Sequence, residues 1–139
     1  MSAFARDDQG RLCAGGMPLG DIAASHGSPL YVYSGDGIRD DYRRFAAAVA
    51  PVDGSVHFAL KANSALGVIG LLARHGAGAD IVSKGEMARA LAAGIPAERI
   101  VFSGVGKSAE EIGAALDAGI GQINAMIRWR PISGSGFAS

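Results

Sequence analysis

An alternation of strand and helix that repeats from Val56 onward is the feature that most constrains the fold. Four short apolar runs start about 20 residues apart, and glycine follows each helical segment between them. The runs lack a clean alternation of polar and apolar residues, which is typical of strands buried on both faces. This repeat of strand and helix predicts a parallel α/β sheet. The predicted strands are at 56–60, 79–82, 99–102 and from 120, and the predicted helices at 64–74, 85–93 and 109–118.

The part of the chain before this repeat has a different character. Residues 1–29 are rich in glycine, with one short helix predicted at 19–26, and the apolar run LYVY predicts a strand at 30–33. A longer helix is predicted at 37–50 and ended by Pro51, because apolar residues recur there at helical spacing. The residues on that apolar face are Ile38, Tyr42, Phe45 and Val49.

Size, composition and charge exclude several classes of protein. The chain has 139 residues, 49% of them hydrophobic, which suits one domain with a real core. Basic and acidic residues number 13 each, and the zero net charge argues against nucleic acid or an anionic membrane as a partner. A single cysteine, Cys13, and a charged N-terminus without a long apolar run indicate a cytoplasmic protein. The three histidines lack the spacing of zinc ligands, so we expect no metal site.

The last stretch of the sequence, MIRWRPISGSGFAS at 126–139, breaks the rhythm where a helix should follow the fourth strand. One interpretation is a flexible tail. The other is a chain truncated or frame-shifted near Ala125, since a sequence rich in Arg, Pro, Ser and Gly is typical of a GC-rich gene translated out of frame. An alternative reading frame of the coding DNA that restores the rhythm would support the second interpretation.

Lys61 ends the first strand of the repeat, in the stretch VHFALKANS. Ligands of parallel α/β proteins bind beyond the carboxyl ends of the strands, so this lysine is a candidate functional group. In a partly dry pocket its charged form is disfavoured, and a free amine can attack a carbonyl to form a Schiff base. Position alone nevertheless favours an ordinary solvated lysine at a strand exit.

Three further features are candidates for chemistry or for structure. Asp80 lies inside an apolar strand and needs a partner, which could be Lys61 or the amides of a loop. Two S-x-x-E segments, at 83–86 and 108–111, predict capping boxes at helix starts. The segment SGVGK at 103–107 suggests phosphate binding only weakly, because it lacks P-loop spacing.

Several segments together resemble a known family. Three of them are similar to the N-terminal half of the diaminopimelate decarboxylases. They are FALKANS at 58–64, GAGADIVSKGEMARALAAGIPAERIVFSGVGKSAEEI at 76–112 and AGIGQIN at 118–124. These belong to the alanine-racemase-like, fold-type III enzymes that use pyridoxal 5′-phosphate (PLP). With GSPLYVYS at 27–34, the resemblance covers roughly residues 10–124.

The resemblance implies a role for specific residues and a place for each segment. It makes Lys61 the catalytic lysine that holds PLP as a Schiff base, and it places Asp80, Ser83 and Glu86 on the cofactor side of the site. The implied fold is α/β, about the first half of a (β/α)8 barrel. Residues 1–36 then belong to a second, β-rich domain, 37–125 to the PLP-binding barrel, and 126–139 to neither. Lys84 stands where many relatives carry glycine.

The implied function is the PLP-dependent decarboxylation of meso-diaminopimelate to L-lysine, in lysine biosynthesis, by a family of homodimers. A full barrel needs about 250 residues, and the later elements that complete the site are missing from this sequence. We therefore expect the chain alone to be inactive. The alternatives are a non-catalytic barrel fragment and another fold-type III amino-acid decarboxylase.

Overall fold

The computed structural model of the chain describes residues 3–125 and contains two sheets. The N-terminal part forms a three-stranded antiparallel sheet followed by two helices. Its elements are β1 Phe4–Arg6, β2 Leu12–Ala14, β3 Met17–Pro18, α1 Leu19–His26 and α2 Gly35–Val49, with a 3-10 turn at Ala50–Val52. Gly15 and Gly16 join β2 to β3 with positive φ angles of 55° and 82°, a conformation that glycine adopts without strain.

The second sheet is the predicted one, with four parallel strands in the order β4-β5-β6-β7. Its elements are β4 His57–Ala59, a 3-10 turn at Leu60–Ala62, α3 Leu66–Arg74, β5 Gly78–Ile81, α4 Lys84–Ala92, a 3-10 turn at Ala97–Arg99, β6 Ile100–Phe102, α5 Ala109–Asp117 and β7 Gln122–Ile123. Each strand pairs with the next one along the chain, as the short βα repeat requires. The predicted α/β class and parallel sheet are confirmed.

The core of the molecule lies between this sheet and its helices. Alternate strand residues point to the helices and are fully buried, among them Ile81 of β5 and Ile100 and Phe102 of β6. They pack against Ile69 of α3, Ala115 of α5 and the apolar side of α4. Burying an aliphatic or aromatic side chain of this size contributes about 1.5–3 kcal/mol.

The two predicted helix caps form to different extents. At α5, Ser108 Oγ accepts from the N–H of Glu111 and the Glu111 carboxylate accepts from the N–H of Ser108, which is a complete capping box. At α4, Ser83 Oγ accepts from the N–H of Glu86 at 3.2 Å, but the Glu86 carboxylate accepts from Val82 at 2.7 Å. The prediction of a complete capping box at 83–86 is therefore wrong. The Glu86 carboxylate bonds to the N–H of Val82, one residue before the cap residue Ser83.

The strand predicted at 30–33 is also wrong. These residues are not hydrogen-bonded into a sheet within the described part of the chain, and Tyr31 and Tyr33 are 89% and 55% exposed. An apolar β-branched and aromatic run becomes a strand only when its backbone groups pair with another strand, and those of 30–33 pair with neither sheet. The helices at 19–26 and 37–50 are confirmed as α1 and α2, although α2 begins two residues earlier than predicted.

No helix among residues 3–125 is both long enough and apolar enough to span a bilayer. The two interpretations of residues 126–139 concern a segment outside the described residues.

Candidate active site

Lys61 lies in the 3-10 turn that directly follows β4, at the carboxyl edge of the parallel sheet. Leu60 is fully buried and anchors this turn in the core, whereas the next residue, Lys61, is exposed. Asn63 then accepts a hydrogen bond from the N–H of Ala65 at 3.0 Å, which turns the chain into α3. Among residues 3–125, no ion pair includes Lys61, so its amine is available for a ligand.

A row of polar side chains occupies the sheet face that points away from the helices. Since Ala79 and Ile81 are buried against the helices, Asp80 between them lies on the opposite face. Ser103 Oγ donates to Asp80 Oδ1, and Asn124 Nδ2 donates to Ser103 Oγ at 3.4 Å. Gln122 Nε2 donates to Asn124 Oδ1 at 2.5 Å. We call these four residues the polar ladder.

The partner of Asp80 differs from both alternatives that the sequence left open. It is the hydroxyl of Ser103, on the neighbouring strand, and neither Lys61 nor a loop amide. Asp80 is opposite Val101 in the register of β5 and β6, and Ser103 lies two residues further along on the same face. Lys61 does not meet Asp80 because the chain leaves β4 in a 3-10 turn, where the two-residue alternation of a strand no longer holds.

Ser83 and Glu86 lie where β5 leads into α4, at the same edge of the sheet as Lys61. Both side chains are already engaged with the backbone, Ser83 as the cap of α4 and Glu86 as an acceptor for Val82. The structure thus places Lys61, Ser83 and Glu86 at the carboxyl edge, and Asp80 inside β5 on the face that points away from the helices. It gives Ser83 and Glu86 a clear structural task there.

Two lysines near this edge are held by other groups. Lys84 Nζ lies 2.8 Å from the Glu110 carboxylate, and this hydrogen bond and charge raise the pKa of Lys84. Lys107 Nζ donates to the carbonyl oxygens of Gly104 and Asn124, the latter at 2.6 Å, and lies 5.0 Å from the centre of the Phe102 ring. In SGVGK, then, the lysine ties two loops together, which gives the motif a structural role without phosphate.

Sequence reasoning did not predict the polar ladder. Ser103 hydrogen-bonds to Asp80 and to Asn124, although these residues are far apart in the sequence. The available signal is positional, because Ser103 and Asn124 each lie just beyond the end of a successive parallel strand. Within residues 3–125, no three His, Cys, Asp or Glu side chains lie close enough together to hold a metal ion.

Fold and site together define part of a parallel (β/α) barrel, with a lysine directly after the first barrel strand and polar groups along the inner face. Residues 36–127 match the model of a family described as "Pyridoxal-dependent decarboxylase, pyridoxal binding domain". The chain belongs to this family.

Curated relatives and solved structures agree with this assignment. The chain is 50% identical over 121 residues to diaminopimelate decarboxylase of Zymomonas mobilis, and 53% identical over 111 residues to that of Pseudomonas fluorescens. These matches cover 83% and 80% of the chain but only 28% and 27% of the relatives. The chain therefore spans less than a third of the length of the relatives it matches, and the resemblance to their N-terminal region is confirmed.

Among solved structures, diaminopimelate decarboxylase of M. jannaschii superposes with a TM-score of 0.83 at 35% identity, over 88% of this chain and 29% of that one. The enzyme of Helicobacter pylori, solved in complex with L-lysine, matches at 44% identity and a TM-score of 0.74, over 77% and 27% of the two chains. A lysine/ornithine decarboxylase of Vibrio vulnificus matches at 27% identity and a TM-score of 0.68, over 73% and 28%. Sequence similarity is thus higher to the diaminopimelate enzymes than to this ornithine-type one.

Proposed function

We propose that this chain supplies the N-terminal part of a PLP site, with Lys61 as the residue that holds the cofactor. The observation that carries the proposal is the placement of an exposed lysine directly after the first strand of the parallel sheet. The arrangement fits the cofactor because the Lys61 amine has no competing ion pair among residues 3–125. The family to which the chain belongs supports the same cofactor.

Each residue of the site has a defined task in this proposal. Lys61 would bind the aldehyde carbon of PLP through its amine. Asp80, fixed by Ser103, would place a negative charge on the inner face of the sheet. Ser83 and Glu86 would hold the start of α4, so that its first turn faces the cofactor. When bound, PLP supplies an electron sink for the charge that departure of CO₂ leaves on the substrate.

The reaction we propose for the complete protein is decarboxylation of meso-diaminopimelate to L-lysine. The diaminopimelate decarboxylases support this choice over other amino-acid decarboxylases by their higher identity. Because the chain covers less than a third of those relatives, we expect no turnover from the 139-residue chain alone. We further propose that residues 1–36 belong to a second, β-rich domain and 37–125 to the barrel.

Reductive trapping tests the assignment of Lys61. The purified chain is incubated with PLP and reduced with borohydride, and the modified residue is located by peptide mass mapping. The expected result is one cofactor adduct on Lys61. Lys61→Arg keeps the positive charge but removes the nucleophilic amine, so this variant should lose the adduct.

Lys84→Arg is the matched control, because Lys84 lies at the same edge but is paired with Glu110. It should label as the parent does. Equal labelling of Lys61→Arg and the parent would overturn the assignment. A parallel assay of CO₂ release from meso-diaminopimelate should give no activity, and efficient turnover would show that the site is complete without further strands.

A further inference from the structure

The segment that carries Lys61 and leads into α3 is not held in place by packing. Leu60 and Ile69 are fully buried, whereas residues 61–68 between them are exposed or half-buried. Ordering an exposed stretch of backbone costs conformational entropy, and here no buried side chain offsets that cost. Polar contacts must therefore decide which conformation this segment adopts.

The start of α3 adds little order of its own. Ala65 stands at the N-cap position, where its side chain can accept no hydrogen bond, and Gly67 in the first turn is a poor helix former. By contrast, α4 and α5 begin with Ser83 and Ser108, which cap their helices. The connection that carries Lys61 therefore lacks the capped helix start of these two other connections at the same edge.

Asn63 joins the end of the 3-10 turn to the start of the helix. Its backbone N–H donates to the carbonyl of Leu60 at 3.1 Å, which closes the turn around Lys61. Its side-chain Oδ1 accepts from the N–H of Ala65 at 3.0 Å. One residue thus fixes the backbone on both sides of itself, by a local turn that asparagine favours.

Arg89 ties the same segment to α4. Its Nη1 donates to the carbonyl oxygen of Ser64 at 3.3 Å, a contact between residues 25 positions apart. Met87 and Ala90, on either side of Arg89 in α4, are buried in the core, so the backbone that carries this side chain is fixed. Within the described part of the chain, no carboxylate forms an ion pair with Arg89 that would compete for its guanidinium.

We propose that Asn63 and Arg89 are positioning residues, which together set the direction in which Lys61 points. Lys61 lies two residues before Asn63 and three before Ser64, so a shift of this segment displaces its amine. Reaction with an aldehyde requires the amine and the carbon to be held about 3–3.5 Å apart. The inference rests on the proposed role of Lys61 as the residue that holds PLP.

Two measurements on the full 139-residue chain test the proposal. Hydrogen exchange resolved by residue, without cofactor, reports how often the amides of Asn63 and Ala65 open. The initial rate of borohydride-trapped labelling by PLP reports the placement of Lys61. Arg89→Met should speed exchange at both amides, although Arg89 contacts neither, and should slow the labelling of Lys61. Each effect should be about threefold to tenfold, as expected for the loss of one hydrogen bond.

Two substitutions of Asn63 separate positioning from a general loss of stability. Asn63→Ala removes the acceptor for the N–H of Ala65 and should slow the labelling of Lys61 to a similar extent. Asn63→Ser keeps an oxygen acceptor and adds no charge, so it should restore most of the parent rate. Circular dichroism should show that these variants remain folded.

The controls address charge and position. Arg89→Met also removes a charge, so labelling is followed from about pH 7 to about pH 9. A lost charge would displace the pH profile, whereas a misplaced amine lowers the rate at every pH. Arg44→Met removes an exposed arginine that pairs with Asp41 of its own helix, α2, and should change neither exchange nor labelling.

Labelling of Lys61 at the parent rate in both Arg89→Met and Asn63→Ala would overturn the proposal. Unchanged exchange at Asn63 and Ala65 in Arg89→Met would also overturn it. If the parent chain takes up no cofactor at Lys61, the proposed function fails and hydrogen exchange alone decides the positioning role. Faster exchange in Arg89→Met then supports that role, and unchanged exchange refutes it.

Discussion

Replacing Lys107 with methionine removes an ammonium group that holds three partners at the carboxyl edge of the sheet. Nζ donates to the carbonyl oxygens of Gly104 and Asn124 and faces the Phe102 ring at 5.0 Å. Methionine keeps a similar apolar stem, so the packing of the side chain is largely retained. The substitution therefore measures the polar contacts of Lys107.

The expected cost follows from these contacts. A buried hydrogen bond to a charged group contributes about 1.5–3 kcal/mol, and a partly exposed one contributes less. Lys107 is half-buried, so we take roughly 1 kcal/mol for each of its two bonds and about 0.5 kcal/mol for the contact with the ring. Lys107→Met should lower the free energy of unfolding by about 2.5 kcal/mol.

Urea unfolding followed by far-UV circular dichroism, at one fixed protein concentration, measures this loss. Lys84→Met is the control, because the Lys84–Glu110 pair is exposed on both sides at 52% and 80% and should leave no measurable mark on stability. If the two variants unfold at the same urea concentration, the contacts of Lys107 do not stabilise the fold. That result would favour the phosphate-binding interpretation of SGVGK.

Three further substitutions or probes test other parts of the structure. Gly104→Ala places a Cβ 2.7 Å from the carbonyl oxygen of Val82 and should cost about 1–3 kcal/mol in urea unfolding, whereas Gly106→Ala, with open space around it, should cost much less. Burial raises the pKa of the Cys13 thiol, so iodoacetamide at pH 8 should modify it about tenfold more slowly than free cysteine; equal rates would contradict its burial. Hydrogen bonds from backbone N–H groups lower the pKa of Glu111 in the folded chain. Its carboxylate therefore stabilises the fold above the unfolded pKa of about 4.3, and this stabilisation is lost as the pH falls through the folded-state pKa. Glu111→Gln should therefore lose less stability than the parent between about pH 6 and pH 3, and identical acid profiles would count against this role.

The elements of the parallel sheet were predictable because local signals agree with one another. Apolar runs at a regular spacing set the strands, glycines end the helices, and Ser108 with Glu111 starts α5 as its capping box requires. The same consistency made the family resemblance recognisable over most of the described chain. The role of Lys61 remains a prediction, since a lysine at a strand exit has the same local signature whether or not it holds a cofactor.

The features that were not predictable depend on neighbours distant in sequence. The run at 30–33 has strand propensity, but its backbone groups pair with neither sheet of the described chain. The bond between Ser103 and Asp80 joins residues 23 positions apart and follows from the register of two strands. The return bond of Glu86 reaches Val82 and not Ser83, a difference of one residue that only side-chain geometry decides.

The two edges of the parallel sheet that are unpaired within residues 3–125 differ from each other, and this asymmetry has a consequence for the growth of assemblies. Joining β4 of one copy to β7 of another uses two unlike surfaces, so every added copy presents a fresh β7 or β4 unless the sheet curves back on itself.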